Sequence, residues 1–100
     1  MITNIYCIRD SLKEMYQSVF HAENDKTAVR SFMMQTKDLD REIVSNDLQL
    51  FRVGRFNHLT GEMTCAIDLD KNGKEMEFKN PLPIDVSNSR IDKKELELRR

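Results

Sequence analysis

Asn46–Thr64, NDLQLFRVGRFNHLTGEMT, decides the fold. Leu48, Leu50, Phe51, Val53 and Phe56 are strand-forming residues packed into nine positions, and Asn57-His58-Leu59-Thr60-Gly61 closes them with a turn. Gly61 suits the loop position that needs a positive φ. The stretch reads as a strand, a tight turn and the start of a returning strand.

On the C-terminal side, Glu62 to Leu69 alternates Met63, Cys65 and Ile67 against Thr64, Ala66 and Asp68, which predicts the returning strand. Lys71-Asn72-Gly73-Lys74 predicts another turn, and Glu75 to Lys79 a further short strand through Met76 and Phe78. Pro81 and Pro83 then punctuate the chain, and residues 81–100 read as a charged tail. That tail is expected to be poorly ordered and helical at most locally, where Ile91, Glu95 and Leu98 have helical spacing.

On the N-terminal side, Asp38 to Asp47 is acidic, with isolated Leu39, Ile43 and Val44, and reads as a short helix or as a loop over the sheet edge. Before it lies the clearest helix. Asn24 or Asp25 can cap it, and Ala28, Val29, Phe32, Met33 and Thr36 form an apolar stripe that must lie on the sheet. Lys26, Arg30, Ser31 and Lys37 are expected in water. Ile2 to Ile8 reads as a strand with Ile5 and Cys7 on one side and Tyr6 and Ile8 on the other, and apolar groups on both faces place it inside the sheet. Lys13 to Phe20 reads as a second strand hairpinned to the first, with a short helix from Ser11 to Val19 as the rival. The expected architecture is an α+β fold: a small antiparallel sheet made of hairpin, helix and hairpin, the one main helix on one face, in a single domain over residues 1–80. The other face would then expose Tyr6, Ile8, Tyr16 and Phe20, and a symmetric homodimer would cover them.

The chain of 100 residues is 39% hydrophobic and 33% charged, with 7% aromatic residues and no Trp, so one modest core is all it supports. It has no run long enough to cross a membrane and no signal-peptide pattern at MITNIYCIRD, so a cytosolic protein is expected. Cys7, Cys65, His21 and His58 lack the short spacings of a structural zinc site, and no metal is expected. Gly54, Gly61 and Gly73 are isolated, which excludes a phosphate-binding loop or a dinucleotide fingerprint. There is no nucleophile elbow, and the clustered Asp38, Asp40, Glu42 and Asp47 read as a solvated face. Neither an enzyme nor a cofactor is expected.

One binding chemistry stays open. Phe51-Arg52-Val53-Gly54-Arg55-Phe56 interleaves rings and cations as a single-strand nucleic-acid surface does, and Arg9, Lys13, Tyr6 and Tyr16 could lie on neighbouring strands. The other reading makes Phe51 and Phe56 core, with Arg52 and Arg55 lying over it. Charge argues against an extended basic footprint: eight Lys and Arg stand against eleven Asp and Glu up to residue 70, and eight against six beyond it. Any site is therefore a local patch or is built by oligomerisation.

The order of motifs resembles the small non-structural protein of gokushoviruses, single-stranded DNA bacteriophages of the microvirus group. The matching pieces are Ile5-Tyr6-Cys7-Ile8-Arg9-Asp10, Tyr16 to Phe20, Ala28-Val29-Arg30-Ser31-Phe32 and Leu48 to Glu62, spanning about residues 2–68. Ser18-Val19 and Ser45-Asn46-Asp47 depart from the family pattern, and the tail after Asn80 has no counterpart. The resemblance implies a DNA-binding accessory protein of phage genome replication in the host bacterial cytoplasm, linked to single-stranded DNA synthesis. It supplies no catalytic residues. Two expectations follow: a single-stranded DNA binder using Arg9, Lys13, Tyr16, Arg52, Arg55 and Phe56, or an adaptor that engages a phage or host replication or packaging protein through the acidic linker or the tail.

Overall fold

The computed structural model describes residues 1–86. The elements are β1 (Ile2–Asp10), β2 (Met15–Ala22), α1 (Asp25–Gln35), α2 (Arg41–Asp47), β3 (Leu48–Asn57), β4 (Met63–Leu69), β5 (Glu75–Phe78) and β6 (Leu82–Pro83). The strands form an antiparallel sheet in the order β2-β1-β3-β4-β5, with β6 beside β3. β1 therefore lies inside the sheet, as its two apolar faces require, and the second run is a strand rather than a helix.

The simple hairpin-helix-hairpin plan holds in part. A second helix follows the first: Asp40 caps it by accepting from Glu42 N at 2.8 Å, and Val44 is only 1% exposed. The acidic stretch thus resolves as a helix because one aliphatic residue anchors it. The chain also continues into the fold past residue 80. Leu82 and Pro83 pair with Arg52 and Phe51, Ile84 N donates to Leu50 O, and the Ile84 side chain is buried. The expected boundary at 80 therefore falls short of the packed segment, since Ile84 and the partly buried Val86 close one end of the core. The local helix expected around Ile91, Glu95 and Leu98 lies outside the described residues.

α1 begins where the sequence places it. Asn24 Oδ1 accepts from Thr27 N at 2.9 Å and from Thr27 Oγ1 at 3.0 Å. This leaves the Asp25 side chain for another use. Ala28, Val29, Phe32 and Thr36 are buried and Met33 partly so, while Lys26, Arg30 and Lys37 are exposed and Ser31 half-buried. Their partners on the sheet are Tyr6, Ile8, Ala22, Leu50 and, in part, Phe20.

That partner list reverses the expected use of the faces. Tyr6 and Ile8 lie under the helices, fully buried, and the Tyr6 ring stacks on Phe20 with centroids 5.7 Å apart. Only Tyr16 of the four expected residues is exposed on the opposite side. The self-association surface built from Tyr6, Ile8, Tyr16 and Phe20 is therefore not available. A bulge is the reason. β2 offers both Ser18 and Val19 against Cys7 of β1, and Ser18 takes a φ of 55° to do so. One extra residue inverts the alternation, so Tyr16 and Phe20 point to opposite faces.

β3 repeats the device. Ile5 pairs with Gly54 and Tyr6 with Arg52, leaving Val53 as the extra residue. Residues paired across an antiparallel ladder share a face. Arg52 beside Tyr6 and Arg55 beside Asn4 thus lie on the helix side, and Phe51 beside Cys7 and Phe56 beside Thr3 on the open face. The interleaved rings and cations are sorted onto different faces.

Candidate nucleic-acid interface

The bulges decide which of the candidate residues can meet. Arg9 and Tyr16 are cross-strand partners, and the Arg9 guanidinium carbon sits 5.8 Å from the centroid of the Tyr16 ring. Such a cation–π contact contributes about 0.5–1 kcal/mol at an exposed site. Tyr16 also meets Phe51 edge to face, centroids 5.4 Å apart. Lys13 lies exposed in the turn between β1 and β2, which Asp10 Oδ1 holds by accepting from Leu12 N at 3.0 Å. Arg9, Tyr16 and Phe51 thus share one end of the open face, with Lys13 in the turn next to it.

Phe56 lies towards the other end. Its ring stands perpendicular to His58 at 5.0 Å, and His58 lies 5.6 Å from His21. Between the two clusters run Ile5 and Cys7, buried beneath their neighbours although no helix of the described residues crosses this side. Burial pushes the Cys7 thiol pKa up, so it stays a protonated core group. Cys65, which pairs with Gly54, is half-buried. Along β3, Phe51 and Phe56 are separated by about 13–16 Å at the usual rise of a strand. This is the length of roughly four stacked nucleotides at about 3.4 Å each.

Arg52 and Arg55 do not join them. Arg52 is 7% exposed. Its Nη1 donates to both carboxylate oxygens of Asp25 at 2.9 Å, and its Nη2 to Asp68 Oδ2 at 2.9 Å. Burial alone would lower its pKa, but the two carboxylates more than offset this and hold the guanidinium charged. Asp25 Oδ1 also accepts from the Tyr6 hydroxyl at 2.6 Å, and Asn4 Nδ2 donates to that hydroxyl at 3.2 Å. Arg52 is therefore a structural cation that ties α1 to β3 and β4, and its expected place in a DNA site is corrected. Its Nε has no partner among the described residues. Arg55 lines a cleft of about 150 Å³ together with Glu62 and Glu77, whose charges oppose a phosphate there.

The sequence did not reveal half-buried Phe51 as the ring beside Tyr16, nor Thr3, His21 and His58 as a cluster. The signal for Phe51 was present in the alternation, but only the added residue in β3 puts it with Tyr16. Among the described residues no three His, Cys, Asp or Glu side chains converge on a metal-sized site, and no helix is long and apolar enough to cross a membrane.

Neither the curated proteins nor the solved structures hold a significant match to this chain. Residues 3–71 match the family model described as phage ORF5 protein, a span that takes in β1 to β4 and both ends of the open face, and the chain belongs to that family.

Proposed function

We propose that this phage protein is a non-enzymatic accessory factor of genome replication, of the gokushovirus type, that binds single-stranded DNA during viral strand synthesis in the host cytoplasm. The observation that carries the reading is the open face itself. Tyr16 and Phe51 at one end and Phe56 at the other offer rings to unpaired bases, and Arg9 and Lys13 stand beside the first pair to meet phosphates. Stacking on rings tolerates any base, which suits a factor that must follow a whole genome. A rigid sheet keeps the rings in place without an ordering cost on binding.

The test is a fluorescence-anisotropy titration of a labelled pyrimidine single strand, with a duplex of equal length as control. Preference for the single strand, with affinity that falls steeply with salt, supports the reading, because phosphate contacts release counterions. No affinity at low salt sinks it. A second reading, an adaptor for a replication or packaging protein, is favoured by one observation: Leu39 and Ile43 are 46% and 47% exposed among Asp38, Asp40 and Glu42. That reading gains if DNA affinity is absent and if replacing Leu39 and Ile43 by Ser abolishes a pull-down from infected cells.

A further inference from the structure

Thr3, His21 and His58 occupy the Phe56 end of the open face and are not among the rings proposed to stack on bases. Thr3 Oγ1 lies 3.0 Å from His58 Nε2 and, more weakly, 3.5 Å from His21 Nδ1. The hydroxyl belongs to a residue only 6% exposed, while both histidines are exposed. Each ring therefore turns one nitrogen inward to a shared anchor and keeps the other for solvent.

A hydroxyl has one proton and two lone pairs, which couples the two rings. When both are neutral, Thr3 donates to one and accepts from the other. The outward nitrogens are then one lone pair and one N–H, a mismatched set for a metal that needs two lone pairs. When both are protonated, Thr3 accepts from both. The outward nitrogens then both carry N–H, and two cationic donors face the same solvent. That is the arrangement a phosphate fits, since charge-assisted hydrogen bonds to its oxygens are short and strong.

Two imidazolium rings 5.6 Å apart repel each other. The repulsion is Coulombic and grows as water is excluded from between the rings. An anion seated against both removes this cost. Among the described residues, other ionisable groups around the pair are few. β2 contributes only His21 itself, with Glu14 and Glu23 just outside its ends. β1 contributes the amino group of Met1, whose carbonyl accepts from His58 N at 2.8 Å, and Arg9 and Asp10 at its far end. The β3–β4 hairpin contributes Arg55 on the helix side, Glu62, whose carbonyl accepts from Asn57 N at 2.9 Å, and Cys65 beyond it. No carboxylate is hydrogen-bonded to either ring among the described residues.

We infer that His21 and His58, joined through Thr3, form a proton-linked phosphate site that takes the backbone of single-stranded DNA beside the Phe56 ring. The inference rests on the DNA-binding reading and adds to it a second anchor, at the end of the face where the described residues place no Arg or Lys. Because the site binds its anion in the protonated state, the complex takes up protons, and affinity rises as pH falls.

The experiment titrates labelled oligothymidylate with the full chain by anisotropy at about pH 7.5 and about pH 6, the interval in which imidazole changes charge. A double variant, His21→Gln with His58→Gln, runs beside it; both side chains are exposed, and its thermal melt at the higher pH checks the fold. The wild type is expected to bind about tenfold tighter at the lower pH, with a log–log salt slope steeper by about 0.7, the contribution of one phosphate contact to a single strand. The double variant is expected to show neither change. Affinity that ignores pH, or a pH response kept in the double variant, overturns the site and leaves the DNA-binding reading standing. Absence of single-strand affinity at both pH values removes both.

Discussion

Arg52 Nη1 lies 2.9 Å from both carboxylate oxygens of Asp25, so the first residue of α1 is locked to the middle of β3. The Arg52 side chain is 9% exposed, that of Asp25 43% and that of Asp68 54%. The cost of losing this cation is therefore asymmetric. Two half-open carboxylates regain water, while a packed stem and three charge-assisted hydrogen bonds are lost. Arg52→Ala is expected to destabilise the chain by about 2–3 kcal/mol, below the full penalty of a sealed ion pair. At about 4–8 °C per kcal/mol for a domain of this size, the melting temperature falls by about 8–24 °C. Differential scanning calorimetry checks it, and an unchanged melt would mean the cation is dispensable to the fold.

The same carboxylate raises the Tyr6 phenol. Burial first, then the hydrogen bond to Asp25, push its pKa well above the ordinary tyrosine range. The folded state thus holds this proton more tightly than the unfolded chain does. The stability it contributes is fully present below about pH 10, the unfolded value, and is lost as pH rises towards the folded one. Denaturant midpoints measured from neutral pH to about pH 11.5 should decline above about pH 10. Tyr6→Phe keeps the ring against Phe20 and removes the phenol. It is expected to cost about 1 kcal/mol at neutral pH and to flatten the alkaline decline.

On the open face the expectation is the reverse: function without stability. Tyr16 is 48% exposed, with Arg9 over its ring and Phe51 in an edge-to-face contact. Tyr16→Ala should lower single-strand affinity by about tenfold, in the range of about 1–3 kcal/mol for one stacking ring. Its melting temperature should fall by no more than about 8 °C, the equivalent of about 1 kcal/mol for the cation–π contact that goes with the ring. Equal loss of affinity and stability would make the ring structural.

The elements were legible because their signals are local. Asn24 before Asp25, the Ala28-Val29-Phe32 stripe and the β3 turn at Gly61 are each read within one or two turns of chain. The faces were not legible, because each depends on a single inserted residue. Ser18 is an ordinary strand position until its φ of 55° is known, and nothing in Gln17-Ser18-Val19 announces it. The bulge moves Tyr16 away from Phe20, and its counterpart at Val53 sends Arg52 to the helices. Arg52 shows the physical limit most directly. Its partners Asp25 and Asp68 are 27 and 16 residues away in sequence, so no window around β3 could tell a buried cation from an exposed one. Arg9 and Tyr16 lie on strands joined by one short turn, and the structure sets them side by side as cross-strand partners.

Gly54 tests the β3 bulge itself. It follows Val53, pairs with Ile5 on one side and Cys65 on the other, and has no room for a side chain: a Cβ there would lie 2.7 Å from the carbonyl oxygen of Thr64 and 3.7 Å from Ile5 Cδ1. The close atom is backbone in the neighbouring strand, so relief requires β4 to move away from β3. This would loosen the short ladder formed by Gly54, Arg55 and Phe56 against Cys65, Thr64 and Met63. Gly54→Ala is expected to destabilise by about 1–3 kcal/mol, as other overpacked sites do. The loss should concentrate in β4 and β5, beyond the overpacked contact. Amide hydrogen exchange distinguishes the outcomes: faster exchange at Cys65 to Leu69 with β1 and β2 still protected places the strain at the β3–β4 contact. Uniform protection across the sheet would mean that the ladder accommodates the methyl group without separating.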